Sequence, residues 1–148
     1  MSTFAQAVAL VTVFACGVID ARTGLIPNRI TYPAFGAILL VALCTGTLAS
    51  AALGAAVVGG ILGVLYIVTR KRGLGFGDVK LGACIGAGLG PITGVVALGT
   101  SFIAGGAVGA YLLLSGRAGR KDAIRFGPFL LVGVASSVVM QHFGWHIL

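Results

Sequence analysis

Gly75-Phe76-Gly77-Asp78-Val79-Lys80 sets a carboxylate at the mouth of an apolar, glycine-rich run that continues to about Leu89. The chain holds only three acidic residues, Asp20, Asp78 and Asp122, and no glutamate. Asp20 stands at the edge of another apolar run, fifty-eight positions before Asp78. Ionisable groups at membrane depth are costly to keep, which makes them functional candidates by default. Everything else in the sequence bears on whether these two acids meet.

The chain of 148 residues is 58% hydrophobic and 9% charged, with a mean hydropathy of +1.10. Soluble domains carry about 25% charged residues, so the composition points to one membrane-embedded domain over residues 1–148. Twenty-five glycines would weaken helices in water. In a bilayer they permit close helix contact. The formal charge of +7 raises the possibility of nucleic-acid binding, but the ten Lys and Arg fall in three short groups. Grouping of that kind is set by membrane topology, not by a nucleic-acid face. Cys16, Cys44 and Cys84 stand singly in apolar segments, without metal-ligand spacing, and read as small buried hydrophobes. Met1 to Gln6 lack a basic region, so the first apolar segment is expected to be retained, not cleaved.

Spans of about 20 apolar residues divide the chain into six segments: about Thr3–Ile19, Ile30–Leu43, Ala51–Thr69, Val79–Leu89, Ile92–Leu114 and a last one ending near Phe143. Gly82, Gly86 and Gly90 recur every four residues on one helix face, and Gly105 and Gly109 repeat the pattern. They read as packing devices. The basic groups occupy the first, third and fifth loops, while the second and fourth carry no charge. The fold expected is therefore all-α: a polytopic membrane protein of six transmembrane helices, basic loops cytoplasmic and both termini outside. That topology brings Asp20 and Asp78 to one face of a plasma (inner) membrane, the cytoplasmic one.

Two carboxylates held close together share a proton and titrate as a pair. One can then act as general base towards water, while the other polarises a peptide carbonyl and later protonates the amine. Glycines ahead of Asp78 let backbone approach an extended substrate and bend into a helix. The plainer alternative is that Asp78 caps the fourth helix and Asp20 marks a helix end at headgroup level.

Asp20 with Ile26-Pro27-Asn28, Gly75-Phe76-Gly77-Asp78-Val79-Lys80, and Phe126-Gly127-Pro128-Phe129 at the start of the last helix resemble, in order along nearly the whole chain, the type IV prepilin peptidases, membrane aspartic proteases of the Gly-x-Gly-Asp kind. The resemblance implies that Asp20 and Asp78 are the catalytic pair. It also implies removal of a short basic leader from prepilins on the cytoplasmic side, after a glycine that precedes their hydrophobic helix. Larger members carry a cytoplasmic insertion with paired Cys-x-x-Cys motifs that bind zinc, and they methylate the new N-terminus. No such pairs occur here, and the loop that would hold them is only Ala21 to Arg29. A peptidase without methyltransferase activity, metal or other cofactor is expected, similar to the small members serving Flp-type (tight-adherence) pili; archaeal preflagellin peptidases are also related.

Several residues keep two readings. Lys80 either acts on the aspartate pair or a substrate acid, or snorkels to fix helix depth. Asn28 either orients Asp20 or forms a turn with Pro27. Gly75 and Gly77 read as supporting positions around Asp78. Arg22 and Arg29 read as topology anchors, Asp122 as a solvated acid, and His142 and His146 as groups at the external end. No Gly-x-Ser-x-Gly or His-Glu-x-x-His pattern is present, against serine or metalloprotease chemistry. The competing function is a small proton-coupled transporter or channel subunit in which the aspartates relay protons or a cation. It requires an acid near mid-bilayer and a polar path outward, and the outer loops contain no ionisable group. A purely structural membrane subunit would leave both aspartates replaceable. Partners expected are the lipid bilayer and a prepilin or pseudopilin, with no nucleic acid.

Overall fold

A computed structural model describes residues 3–69, 74–116 and 126–142. Six helices and no strand are present among them: α1 (Thr3–Thr23), α2 (Asn28–Cys44), α3 (Leu48–Val68), α4 (Phe76–Leu89), α5 (Pro91–Leu114) and α6 (Gly127–His142). The protein is an all-α, polytopic membrane protein. Helices α1, α3 and α5 are each long and apolar enough to cross a bilayer, while α2 and α6 are shorter apolar helices. Basic groups Arg70-Lys71-Arg72 and Arg117 to Arg125, with Asp122 and His146, lie outside the described residues.

Local chemistry explains the boundaries. Helix α1 does not stop at Ile19, as the hydropathy pattern suggests; it carries Asp20 inside its last turn. The stop is Gly24, whose φ of 69° is in the left-handed region that glycine enters freely. Its N–H donates to the carbonyl of Asp20 at 2.8 Å. Pro27 then caps α2 in extended conformation, with the restricted φ that proline supplies. Between α4 and α5 the chain reverses on one residue, Gly90, at φ 84°, and Pro91 opens α5 at a position needing no N–H partner. Gly90 is therefore the hinge of a turn and not the third member of a glycine face.

Helix α4 is the central post. It packs against α1, α2, α3 and α5, while α6 packs against α1 and α5. From Leu81 to Leu89 every residue of α4 except Ala83 is buried, although the helix has only 14 residues. The outer faces of the surrounding helices present Phe14, Leu53, Val64 and Ile103, as lipid-facing surfaces do. Lipid tails are as apolar as these side chains, so helix association rests on close packing instead. Glycine supplies it at the α3–α4 crossing. A Cβ on Gly86 would run into the Gly54 backbone, and one on Gly54 would run into Gly86. Gly82 makes room for Leu62 and Val58, and a Cβ on Gly94 would lie 3.2 Å from the Cα of Gly86. Cys16 and Cys84 are buried as expected, but Cys44, at the end of α2, is exposed. The buried residues of α2, Thr31, Ile38 and Ala42, share one face, and Cys44 lies about 200° around the axis from Ala42.

Gly86→Ala is expected to cost about 1–3 kcal/mol, since the added methyl has no rotamer by which to escape backbone. Gly60→Ala, which meets nothing within 4 Å, is expected to be neutral or slightly stabilising. Thermal unfolding of the two variants in detergent checks the contrast.

Candidate active site

The last turn of α1, the first turn of α4 and the first turn of α6 come together at one end of the bundle, and they bring Asp20 and Asp78 with them. Both aspartates are 6% exposed, and Asp20 is near enough to Asp78 to act on its charge. A carboxylate in such surroundings needs hydrogen bonds in place of water. Each finds one at a helix N-terminus, where backbone N–H groups lack intrahelical partners.

Asp78 is anchored by its own helix. Gly75 N–H donates to Asp78 Oδ2 at 3.0 Å, and Asp78 N–H donates back to the Gly75 carbonyl at 3.1 Å. In this reciprocal arrangement the carboxylate oxygen satisfies the orphan N–H of Gly75, while the Gly75 carbonyl takes that of Asp78. The other oxygen, Oδ1, is buried without a hydrogen-bond partner among the described residues. Asp78 therefore caps the fourth helix, as the plainer reading has it, and one oxygen of its carboxyl group takes no part in the cap. Gly77 carries no side chain because Ile26 occupies the space: a Cβ there would lie 2.7 Å from the Ile26 Cβ. The glycine before Asp78 is therefore the seat of the α1–α2 loop.

Asp20 is anchored by a different helix. Gly127 N–H donates to Asp20 Oδ2 at 3.0 Å across 107 residues of sequence. The first turn of α6 has little else to offer. Pro128 has no N–H, and those of Phe129 and Leu130 point to the Phe126 carbonyl. A Cβ on Gly127 would come within 2.6 Å of Asp20 Oδ2, and one on Gly17 within 3.2 Å of the Gly127 carbonyl oxygen. Both glycines let α1 and α6 touch at this point. Phe126 contacts the Phe102 and Phe129 rings, and Gly105 leaves the space those rings fill. The role of Gly127 was not read from the sequence, although a glycine just ahead of a proline at a helix start was the available signal.

Lys80 follows Asp78 by two positions, about 200° around the helix axis, and so faces away from it. Its ammonium donates to Asn28 Oδ1 at 2.8 Å and lies 4.7 Å and 4.8 Å from the ring centroids of Tyr32 and Phe76. Asn28 is the first residue of α2, just after the Pro27 cap, and Lys80 ties that start to α4. Tyr66 extends the cluster with its ring 5.5 Å from Phe76. Arg22 and Arg29 are exposed. Among the described residues no three His, Cys, Asp or Glu side chains converge.

Two buried carboxylates anchored at one end of a bundle are groups of the type that general acid–base chemistry uses. Comparison with known proteins bears on what that chemistry would act on. Residues 7–110 match the model of the type IV leader peptidase family. A prepilin leader peptidase/N-methyltransferase of Burkholderia pseudomallei is 38% identical over 135 residues, 84% of this chain and 42% of that protein. Leader peptidase HopD of Escherichia coli is 39% identical over 119 residues, covering 75% of this chain and 76% of that protein. HopD of Salmonella typhimurium is 34% identical, over 78% of this chain and 79% of its own length. The chain thus spans less than half of the Burkholderia relative but most of the HopD proteins. No solved structure matches it. With this match over most of its length, and with two aspartates gathered at one end of a six-helix membrane bundle, the chain belongs to the type IV leader peptidase family.

Proposed function

We propose that the protein is a membrane aspartic endopeptidase that removes the short basic leader from prepilins, cutting after a glycine ahead of the pilin's hydrophobic helix. The observation that carries this reading is the meeting of two buried aspartates from remote helices at one end of the bundle. Asp20 and Asp78 share a proton and activate water between them, one as base and one as acid. Gly75 holds Asp78 by its N–H, and Gly77 admits Ile26 against the base of α4. Pro27 and Asn28 set the start of α2, and Lys80 fastens it.

The grouping of Arg and Lys in alternate loops supports a multi-pass protein of the inner (plasma) membrane, with termini outside and the aspartates at the cytoplasmic face. N-methyltransferase activity is not part of the proposal. Residues 24–27 alone separate α1 from α2, which leaves no room there for the zinc-binding insertion expected of larger members. The whole chain acts as a single peptidase unit, with prepilins or pseudopilins as substrates.

Co-expression with a Flp-type prepilin, read by the size of the pilin, tests the assignment. Asp20→Asn and Asp78→Asn are each expected to lower cleavage by about 10²–10⁴-fold, the contribution of a positioned acid or base. Cleavage that survives either change rejects the catalytic pair. Chelators are expected to leave wild-type cleavage intact, and strong inhibition would require a metal. Gly127→Ala is expected to lower the rate up to about 100-fold by displacing Asp20 by a fraction of an ångström to an ångström, while thermal unfolding in detergent shows that the bundle persists.

A further inference from the structure

Gln6 in α1 and Gln141 in α6 are polar side chains near the ends of largely apolar helices, at the end of the bundle opposite the aspartates. Gln6 Nε2 donates to Gln141 Oε1 at 3.0 Å, and Gln141 Nε2 donates to Thr93 Oγ1 of α5 at 2.9 Å. Three helices are therefore joined by one chain of amide and hydroxyl groups. Amides in hydrocarbon persist where they satisfy one another.

The spacing of this bridge matches the spacing of the site. Fourteen residues separate Gln6 from Asp20, and fourteen separate Gly127 from Gln141. Helices α1 and α6 run antiparallel, so the bond from Gly127 to Asp20 and the bond from Gln6 to Gln141 are the two ends of one unslipped ladder. Each arm covers about 21 Å at a rise of about 1.5 Å per residue. Between the ends α1 and α6 touch through small and apolar side chains, as at Gly17 against Leu131, which make no directional bond; the polar contacts of α6 at Gly133 and Ser136 are to Ser101 and Thr100 of α5, not to α1. A slip of one residue moves α6 by about 1.5 Å along its axis and turns it by about 100°. That is enough to take the Gly127 N–H away from Asp20, because a hydrogen bond tolerates only a few tenths of an ångström.

We infer that the Gln6–Gln141–Thr93 bridge is a register lock that positions Asp20 from the far end of the bundle. Gln6 and Gln141 are positioning residues: they act through α1 and α6 on the Gly127 N–H that orients the carboxylate. The inference deepens the peptidase reading and rests on it for its catalytic consequence, but the lock itself is a statement about helix register.

The test uses the double variant Gln6→Leu/Gln141→Leu, which leaves neither glutamine amide unpaired and so keeps an apolar, insertable bundle. Register at the site end is read by oxidative crosslinking of Gly17→Cys with Leu131→Cys in a Cys16→Ala/Cys44→Ala background. The Cβ positions there lie 3.6 Å apart, within disulfide reach. Loss of the lock is expected to slow crosslinking at least about fivefold. In the double variant with native residues at 17 and 131, kcat for prepilin cleavage is expected to fall about tenfold or more with KM within about twofold. Unchanged crosslinking overturns the lock, and slowed crosslinking with full kcat overturns its link to Asp20. Should the wild-type chain cleave no prepilin while the double variant still slows crosslinking, the lock stands and the peptidase reading falls.

Discussion

A helix shorter than the hydrocarbon layer is thick lies at the centre of this protein, and its close contact with α3 makes that possible. Gly54 and Gly86 meet backbone to backbone, and side chains on either would push α4 away from its neighbours. With α4 seated, α1, α2 and α5 can close around it, and α6 completes the layer beyond. Dispersion across such a crossing is dense because no side chain intervenes. The same contact fixes the depth of the first turn of α4, and hence of Asp78.

At the site the fold meets a second constraint, the cost of burying carboxylates. Backbone N–H groups at two helix starts meet it, Gly75 for Asp78 and Gly127 for Asp20. Helix N-termini favour negative charge through their unpaired donors and their dipole. Anchoring through one oxygen restrains each side chain and leaves the second oxygen outside that bond. The glycines here have distinct duties. Gly75 supplies an N–H, Gly77 yields space to Ile26, and Gly17 and Gly127 bring two helices into contact.

Much of this was legible in the sequence. Runs of apolar residues broken by Gly, Pro and basic groups gave six segments, and the scarcity of acid isolated Asp20 and Asp78. Boundaries were less visible. Hydropathy falls at Asp20, but the backbone continues helically until Gly24 permits a left-handed turn, so the acid sits within the helix and not beyond it. The exposure of Cys44 could not be read from local apolarity, because it reflects which face of α2 packs on its neighbours. Long-range partners were hidden for the same reason. Nothing near Asp20 in sequence announces Gly127, and nothing near Lys80 announces Asn28, since both pairings arise from how helices cross. The match between the Gln6–Asp20 and Gly127–Gln141 intervals becomes meaningful only once α1 and α6 are known to be antiparallel neighbours.

The brevity of α4 has a consequence for the surrounding lipid. Fourteen residues rise about 21 Å, against a hydrocarbon layer of about 30 Å. Because the longer helices α1, α3 and α5 stand around it, the difference leaves a hollow over one end of α4. Lipid headgroups and solvent can sink into such a hollow at modest cost. A hollow of that kind shortens the path from the aqueous phase to a side chain buried within the thickness of the membrane.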